Sequence, residues 1–527
     1  MVVRLPRILS TFVDATPQRR KRTAVLLPVL LPWVARQACE EAGLGRALLD
    51  PEGFDDAYYS AAVGRNFHSP EAALFHYLLV GARDGVSPRP GFDPRAYGQR
   101  NPDVEAAGYE PFAHYFNFGR HEGRGATAEA DAPDDSLLPS PDIARMLMRP
   151  ARRAVAASVD VIVPVYGSRR LTMQALDSVL QSRVSIPYEL VVIDDASPDP
   201  VLRQELEVLA AAGHLTLLTN PRNMGFVETA NRGFLLHPTR DVVLLNSDTR
   251  VFGDWLDRLI AALHSTDRTA TASPLSNAAT ILSYPVFLRD NHATGVDLVV
   301  LDDLCAQLAH APVELPTAHG FCMAVKRRCL DEIGPFDHKN FGRGYGEEND
   351  FSLRAMAAGW RHVAATSTFV WHRGGASFGS ERETLIEGAQ QTVERLHPGY
   401  AASIQRFIKR DPLAKVRTAL DVARIRHDSR PKVLWVGSGA PPRKEGVLTL
   451  ELVPDIGPYA TSLRVLAPDL GPLPNLGRTY KKSVDDLAQL IQSLGVHKVA
   501  VPAGGGTGRA RVVLRAAQTV GIASGEV

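Results

Sequence analysis

A short polar run, Asn246-Ser247-Asp248, directly follows four consecutive apolar residues, Val242 to Leu245. The apolar run predicts a strand that is buried on both faces of a parallel sheet. In open α/β sheets, ligands bind beyond the carboxyl ends of the strands, which is where the polar run lies. A carboxylate with small polar neighbours suits a hard divalent cation, which prefers oxygen ligands. We interpret Asp248 as the anchor of a metal ion that carries a diphosphate; the alternative is a strand that ends in a polar turn.

A second group of carboxylates lies in Gly344-Tyr-Gly-Glu-Glu-Asn-Asp350. Its position predicts the first turn of a helix, where the macrodipole favours negative charge, so capping of that helix is one interpretation. The other interpretation is catalysis, because a carboxylate can act as a general base that takes a proton from a hydroxyl group. A diphosphate that leaves on the opposite side needs positive charge, which a metal ion supplies. One carboxylate as the base and one under the diphosphate are the minimum set for such a reaction.

Alternating strands and helices are expected to position these groups. The predicted strands are Val159–Val163, Glu189–Ile193, Leu215–Leu218 and Val242–Leu245, each separated from the next by a helical pattern. Strands that alternate with crossover helices imply a parallel, doubly wound sheet, whose carboxyl ends meet at one edge. Besides the run at 246–248, that edge is predicted to collect Pro164, Val165, Tyr166, Asp194, Asp195, Asn223 and Gly225.

The residues at this edge have the types that a nucleotide-diphosphate site needs. Asp195 can accept hydrogen bonds from a base or ribose, and the loop containing Gly225 lets the backbone approach a phosphate. No G-x-G-x-x-G follows the first strand, and no G-x-x-x-x-G-K-[ST] is present, which argues against a dinucleotide site and a P-loop. A nucleotidyltransferase is disfavoured as well, because Pro164-Val-Tyr-Gly is not a glycine-rich basic loop.

Four motifs resemble the inverting family 2 glycosyltransferases of the GT-A fold: Val159-Asp-Val-Ile-Val-Pro-Val-Tyr166, Val-Ile-Asp-Asp-Ala-Ser, Asn-Met-Gly-Phe and Leu-Asn-Ser-Asp. The resemblance covers about residues 158–400 and implies a Rossmann-like nucleotide-diphospho-sugar transferase domain, a nucleotide-sugar donor and a divalent metal, Mg or Mn. The family's metal motif is Asp-x-Asp. Because only its last acid is retained, the resemblance implies Asp248 as the ligand and leaves the help of Asn246 or Ser247 open.

The resemblance also implies roles for residues nearer the reacting sugar. The family's acidic pair supplies the base, which implies Glu348 with Glu347 beside it, and Asp350 aligns with an acid that contacts the acceptor or donor sugar. His372 stands where a histidine can complete the metal shell, although a lone histidine is usually a core or surface residue. The segment Gly374–Gly379 is interpreted as a mobile lid. The acceptor-side loop is expected at His319, Gly320 and Phe321.

Residues 1–130 contain an internal duplication with an offset of 38 residues. Phe54-Asp-Asp-Ala-Tyr-Tyr59 recurs as Phe92-Asp-Pro-Arg-Ala-Tyr97, and His76-Tyr-Leu-Leu-Val-Gly81 recurs as His114-Tyr-Phe-Asn-Phe-Gly119. Each unit, within about residues 54–125, predicts two helices, the second ended by its glycine. The shared aromatics indicate a repeated core, with a module that grips glycan or a partner as the alternative. The arrangement resembles helical repeats beside bacterial polysaccharide glycosyltransferases.

The remaining segments complete an α/β protein with a small helical repeat domain in front and a partial Rossmann-like domain behind. Residues 131–157 are expected to be a linker and 401–430 a helical connector. Residues 431–527 resemble the beginning of a GT-B half, with strands at Lys432–Val436, Leu463–Ala467 and His497–Val501 and a helix at Asp485–Leu494. Its glycine loop, 503–508, suits phosphate or is a tight turn. We expect an accessory domain and no second active site.

Composition is that of an ordinary globular protein: 527 residues, 45% hydrophobic and 22% charged. The formal net charge of +1 argues against nucleic-acid binding. Four cysteines without a zinc spacing predict reduced thiols in the cytoplasm. The basic run Arg19–Arg22 before the apolar run Ala24–Val34 leaves peripheral contact with the inner face of the cell membrane open.

The function that the resemblance implies is metal-dependent, inverting transfer of a hexose-type sugar. The donor is a nucleotide-sugar and the acceptor a glycan or lipid-linked glycan, as the resemblance implies for bacterial polysaccharide biosynthesis in the cell envelope. The alternative is a non-catalytic glycan-binding or scaffold protein of a polysaccharide assembly complex, with the repeats as its working part.

Overall fold

The computed structural model describes residues 53–106, 109–120, 142–150, 157–291, 297–342, 344–374, 382–437, 444–454, 463–471, 473–477, 484–502 and 508–526, with isolated residues between them. Several sequence predictions lie outside the described residues: the segments at 19–22 and 24–34, most of the linker, residues 375–379 of the lid and residues 503–507 of the glycine loop. Among the described residues, no helix combines the length and the apolar character that crossing a bilayer requires.

Helices make up the described N-terminal part of the chain. They are α1 (Asp56–Ala62), α2 (Pro70–His76), α3 (Pro94–Arg100), α4 (Pro102–Ala106), α5 (Pro111–His114) and, further on, α6 (Ile143–Leu147). Helices α2 and α5 continue as π-helical turns, Tyr77–Gly81 and Tyr115–Gly119. The first of these continues through Ala82–Asp84 to Gly85, whose φ of 74° ends the helix.

A buried tyrosine–histidine pair stands at the same place in both N-terminal units. The Tyr59 hydroxyl lies 2.8 Å from Nδ1 of His76, and the Tyr97 hydroxyl lies 3.0 Å from Nδ1 of His114. A methyl group at Gly81 would lie 2.2 Å from the Tyr59 hydroxyl oxygen. The glycine predicted to end this helix is Gly85, whereas Gly81, with a φ of −60°, lies within the helix and makes room for the tyrosine. These aromatic rings are buried, which favours the interpretation as a repeated core over glycan capture.

An eight-stranded mixed sheet forms the centre of the molecule, in the order β3-β2-β1-β4-β8-β6-β9-β7. Its strands are β1 (Val159–Val165), β2 (Tyr188–Asp194), β3 (Thr216–Thr219), β4 (Asp241–Leu245), β6 (Thr269–Leu275), β7 (Val313–Leu315), β8 (Cys322–Val325) and β9 (Arg361–Phe369). The short strands β5 (Thr249–Arg250) and β10 (Trp371–His372) pair with each other. The helices are α7 (Arg169–Gln181), α8 (Pro200–Ala211), α9 (Phe226–Phe234), α10 (Trp255–Leu263), α11 (Leu298–Leu308), α12 (Arg327–Ile333), α13 (His338–Phe341), α14 (Glu347–Ala357), α15 (Arg382–Leu396) and α16 (Tyr400–Arg410).

The parallel arrangement predicted from the sequence is right for half of this sheet. Strands β3, β2, β1 and β4 are parallel, and their carboxyl ends meet at one edge. Strand β8 runs antiparallel between β4 and β6, so the sheet as a whole is mixed. Strand β6 was not predicted, because Thr-Ala-Thr-Ala-Ser-Pro-Leu lacks the run of large apolar residues that marks β1 and β4.

Close packing of α9 on β1 makes Gly233 a test of this part of the fold. A methyl group there would lie 2.4 Å from Cγ2 of Ile162, whereas at Gly388 in α15 nothing lies within 4 Å. Overpacking predicts that Gly233→Ala lowers the free energy of unfolding by about 2 kcal/mol. The matched Gly388→Ala is expected to raise it by roughly 0.5 kcal/mol through helix propensity alone. Urea unfolding of both variants checks this; equal effects would contradict the packing argument.

A five-stranded sheet, ordered β13-β12-β11-β14-β15, lies in the C-terminal part. Its elements are α17 (Ala414–His427), β11 (Lys432–Trp435), β12 (Leu448–Pro454), β13 (Leu463–Leu466), α18 (Val484–Ser493), β14 (Lys498–Val501), α19 (Gly508–Thr519) and β15 (Ala523–Glu526), with 3₁₀ turns at Pro468–Leu470 and Pro474–Gly477. We call these elements the C-terminal unit. Strand β13 is antiparallel to β12, and the other pairs are parallel. The domain boundaries stay predictions.

Candidate active site

A cleft of about 640 Å³ opens at the carboxyl ends of the parallel strands. All but two of the residues predicted for the site line it: Pro164, Val165, Tyr166, Asp195, Asn223, Gly225, Asn246, Ser247, Asp248, His319, Gly320, Phe321, Glu347, Glu348 and His372. The exceptions are Asp194 and Asp350. Asp194 accepts a hydrogen bond from the Ser197 N–H at 3.0 Å, and Asp350 accepts hydrogen bonds from Arg354 and His397, each at 2.8 Å.

Asp195 shapes a loop of this cleft. Its carboxylate accepts hydrogen bonds from the Asn220 amide at 2.7 Å and from the backbone N–H groups of Met224 and Gly225 at 2.8 and 2.9 Å. Gly225 has a φ of 86°, and a methyl group there would lie 2.9 Å from the Gly342 carbonyl oxygen. The carboxylate holds the loop with three hydrogen bonds, two to Oδ1 and one to Oδ2, so Oδ2 can still accept a further bond. Direct contact of Asp195 with a base or ribose, which the sequence led us to expect, stays a prediction.

An exposed aromatic ring stands at the same edge of the cleft. Tyr166 follows β1 and is 53% exposed, although it lines the cavity. Most large apolar side chains of the described sheet are buried, so the exposure of this ring needs a reason. A planar ring of this kind offers a stacking surface to a nucleoside base.

Asp248 faces His372 across the short β5–β10 pair. Nε2 of His372 lies 3.4 Å from Oδ1 of Asp248, and its Nδ1 donates to the Ala278 carbonyl at 2.8 Å. Burial alone would raise the pKa of Asp248, but the facing His372, a backbone hydrogen bond and the charge of Arg373 together lower it. Burial likewise opposes the charge on His372, but Asp248 raises the pKa of His372 overall. The site therefore keeps a carboxylate next to an oriented imidazole.

These residues fit a divalent cation. The Asp248 carboxylate and Nε2 of His372 lie beside a third possible ligand, the buried Oδ1 of Asn246, which has no hydrogen-bond partner among the described residues. Two oxygens and an imidazole nitrogen are ligands that Mn²⁺ and Mg²⁺ sites use, and a buried orphaned oxygen calls for a donor or an ion. The bond from Nδ1 of His372 to a carbonyl also leaves Nε2 facing the site.

Another group of possible ligands, Asp160, Glu189 and His237, lies at the opposite, amino end of β1 and β2. The Arg240 guanidinium is 2.8 Å from Oδ1 of Asp160 and 2.6 Å from Oε2 of Glu189. This cation already compensates the two carboxylates, so we interpret the group as an ion-pair network.

The acidic pair begins helix α14 on the far side of the cleft. Glu347 is buried, and its Oε2 has no hydrogen-bond partner in the part of the chain that the structure describes. Burial and then the charge of Glu348 raise the pKa of Glu347 well above its ordinary value. Burial also raises the pKa of Glu348, and backbone N–H groups of the first helical turn offset part of that rise. The capping and catalytic interpretations are therefore compatible, because these N–H groups stabilise the carboxylate that would act as the base.

Three adjoining rings connect the two sides of the cleft, with Phe321 stacked on His372 and edge-to-face with His319. The Phe321 ring lies 5.1 Å from the His372 ring and 5.3 Å from the His319 ring. Burial and the neighbouring His372 lower the pKa of His319 to about 3, so His319 is neutral at physiological pH. Gly320 lies against the base candidate: a methyl group there would lie 3.7 Å from Cγ of Glu348. The loop at 319–321 thus separates the cation side from the base.

Several cleft residues were missed from the sequence, including Ala278, Thr280, Asp290 and Tyr345. The first three belong to an irregular segment after β6 that has no motif and no periodicity. Tyr345 has a φ of 65°, which is uncommon for this residue, and it directly precedes the acidic pair. Its position between Gly344 and Gly346 was the one available signal.

Replacement of Glu347 by glutamine is expected to stabilise the protein above pH 4.5, the ordinary pKa of a glutamate. With a raised pKa, the folded state binds the proton more tightly than the unfolded chain, so stability falls as the pH rises through the folded pKa. Glutamine removes that loss, which amounts to about 1.4 kcal/mol for every tenfold difference in proton affinity between the folded and unfolded states. Urea unfolding at pH 4.5 and pH 8 checks this. The exposed Glu314→Gln is the control, and a Glu347→Gln effect that does not grow with pH would contradict the prediction.

Residues 160–286 match the family model described as Glycosyl transferase family 2. This match supports a glycosyltransferase with a nucleotide-sugar site. Together with the observed sheet, it confirms the predicted α/β fold class with a central domain of GT-A type.

Three solved structures are similar to this chain. GalNAc-T7 with UDP, GalNAc and Mn²⁺ is 18% identical with a TM-score of 0.33, over 48% of this chain and 55% of that one. Mannosyltransferase PcManGT from Pyrobaculum calidifontis, in complex with GDP-Man and Mn²⁺, is 17% identical with a TM-score of 0.31, over 55% and 81%. S. aureus TarS is 15% identical with a TM-score of 0.30, over 46% and 40%. The chain thus spans about half of the first structure's length.

Proposed function

We propose that this chain is an inverting, metal-dependent glycosyltransferase. It moves a hexose-type sugar from a nucleotide-sugar donor to a glycan or lipid-linked glycan acceptor in bacterial polysaccharide biosynthesis. One observation carries the proposal: Tyr166, Asp248 with His372, and Glu348 line a single cleft. A stacking ring, a cation site and a base candidate are the three parts that such a transfer needs.

Each group of side chains in the cleft has a separate role in the proposed reaction. Tyr166 stacks on the nucleoside base, and Asp195 holds the loop through Gly225 against which the diphosphate lies. Asp248, His372 and Asn246 would hold the divalent metal, Mg or Mn, which when bound neutralises charge on the leaving diphosphate. The loop at 319–321 positions the acceptor near Glu348.

The reaction needs one proton transfer and one substitution. The acceptor hydroxyl oxygen attacks the anomeric carbon, whose bond to the phosphate oxygen breaks, and the nucleoside diphosphate leaves with that electron pair. Glu348 takes the hydroxyl proton. Attack on the face opposite the leaving group inverts the anomeric configuration. Contact of Asp350 with the acceptor or donor sugar stays a prediction, and we give Asp350 no part in the proton transfer, since Arg354 and His397 hold its carboxylate.

The test is release of nucleoside diphosphate from a panel of UDP- and GDP-sugars, measured with Mn²⁺, with Mg²⁺ and with EDTA. Release that requires metal and is stimulated by a glycan acceptor supports the proposal. Absence of turnover across the panel, together with glycan binding, would favour the scaffold alternative. The cytoplasmic location and the contact with the inner face of the membrane stay predictions from the sequence.

A further inference from the structure

One irregular segment joins the candidate cation site to the C-terminal unit. Residues 276–291, which we call the bridge segment, follow β6 and lie between His372 and helix α17. Three of its residues, Ala278, Thr280 and Asp290, line the cleft, whereas Tyr284 is fully buried on the other side. The proposed function leaves both this segment and the C-terminal unit without a role.

At the end of the bridge segment that lies nearest the cleft, Asn277 forms two hydrogen bonds with the backbone of His372. The Asn277 side-chain amide donates to the His372 carbonyl at 2.8 Å, and its Oδ1 accepts from the His372 N–H at 2.8 Å. The next carbonyl along the bridge, that of Ala278, accepts the hydrogen bond from Nδ1 of His372. Asn277 itself is fully buried. The bridge segment therefore sets both the backbone position and the ring orientation of His372.

Inside the bridge segment, Asn291 ties the two ends together. Its backbone N–H donates to the Asn277 carbonyl at 2.7 Å. Its side-chain amide donates to the Val286 carbonyl at 2.9 Å, and its Oδ1 accepts from the Val286 N–H at 3.1 Å. A shift of Val286 would therefore also shift Asn277, because Asn291 is hydrogen-bonded to both residues.

At the other end, the C-terminal unit holds the bridge segment. The Tyr284 hydroxyl donates to Asp421 of α17 at 2.7 Å. Asn475, in the 3₁₀ turn Pro474–Gly477, donates from its side chain to the Pro285 carbonyl at 3.0 Å and from its backbone N–H to Asp421 at 2.8 Å. The Arg417 guanidinium lies over the Phe287 ring at 4.3 Å. These groups are buried, so each broken bond leaves an unsatisfied partner.

We propose that the C-terminal unit positions His372 at the cation site, with Asn475 and Asn277 as positioning residues at the two ends of the bridge segment. The inference rests on the proposed function for the role of His372 as a ligand. The C-terminal unit is then a required support of this active site. Outer partners that fix a ligating histidine typically change metal affinity 10–100-fold when they are replaced.

Asn475→Ala is the test variant, because it removes the bond to Pro285 together with the side-chain bonds to Asp421 and Arg417. Val513→Ala is the matched control, since Val513 is buried within the C-terminal unit's own core and has no contact with the bridge segment among the bonds described above. Mn²⁺ binding is measured by electron paramagnetic resonance of the free ion, without substrate. We expect Asn475→Ala to weaken Mn²⁺ binding about tenfold, with Val513→Ala unchanged. Activity of Asn475→Ala at saturating Mn²⁺ is expected to recover.

A second measurement tests the positioning of His372 without relying on metal binding. The ¹⁵N shifts of the His372 imidazole, assigned with His372→Gln, report whether Nδ1 keeps its hydrogen bond in Asn475→Ala. If the wild-type chain binds no Mn²⁺, only the proposed metal site is wrong. A changed ¹⁵N shift in Asn475→Ala would still support the positioning of His372 by the C-terminal unit. Unchanged shifts and unchanged affinity overturn the inference, as does an equal loss in Val513→Ala. Tyr284→Phe, which removes one hydroxyl, replaces Asn475→Ala if that variant does not fold.

Discussion

Glu348→Gln is expected to lower kcat for sugar transfer by about 10²–10⁴-fold, the usual contribution of a general base. Glutamine keeps the shape of the side chain and its contact with Gly320 but cannot take the acceptor proton. The donor site lies on the other side of the loop at 319–321, so the Kd for the nucleotide-sugar should change by less than about threefold, since no donor contact is removed.

The pH profile gives an independent check on Glu348. Because burial raises its pKa, the rate is expected to rise with pH through a limb above the ordinary value of 4.5 as the base loses its proton. That limb should be absent from the residual activity of Glu348→Gln. The exposed Glu314→Gln should retain both rate and profile. A Glu348→Gln enzyme that turns over like the wild type would show that another group takes the proton.

Sequence patterns located those residues of this site that lie at the ends of helices and strands. The apolar runs of β1 and β4 predicted where Tyr166 and Asp248 would lie, because parallel strands end at a common edge. The acids at 347 and 348 were found because they precede a helical pattern. These features depend on local periodicity, which a single chain displays.

The parts that sequence reasoning missed depend on contacts between distant segments. The residues around Asn277 do not reveal that its side chain bonds to the His372 backbone, because the two hydrogen bonds join residues far apart in the chain. Asp195 was correctly placed at the cleft, but its use in holding Met224 and Gly225 follows from the loop's path. The sequence predicted a strand at residues 320–326, which contain β8, but its antiparallel direction was missed for the same reason, because strand direction is set by the crossovers before it.

Asp248→Asn is expected to abolish detectable Mn²⁺ binding and to lower kcat by about 10²–10³-fold, the scale on which loss of charge stabilisation at a leaving group acts. The substitution keeps the size of the side chain and removes the charge that attracts both the cation and His372. Since burial alone opposes a charge at this position, the lowered pKa of Asp248 shows that its surroundings are built to hold a carboxylate. With an amide at position 248, the His372 imidazole and Asn246 would provide too little negative charge to bind the cation.

The matched variant is Asp160→Asn, in the second group of possible ligands. Asp160 is fully buried and bonded to Arg240 and His237, so its replacement should cost about 3 kcal/mol of stability as a broken buried ion pair. Because Arg240 already compensates that group, Mn²⁺ affinity should stay at the wild-type value. The two variants therefore separate a cation site from an ion-pair network by opposite outcomes in binding and stability. Loss of Mn²⁺ binding in Asp160→Asn with normal binding in Asp248→Asn would move the metal to the amino end of the strands, away from any diphosphate in the cleft.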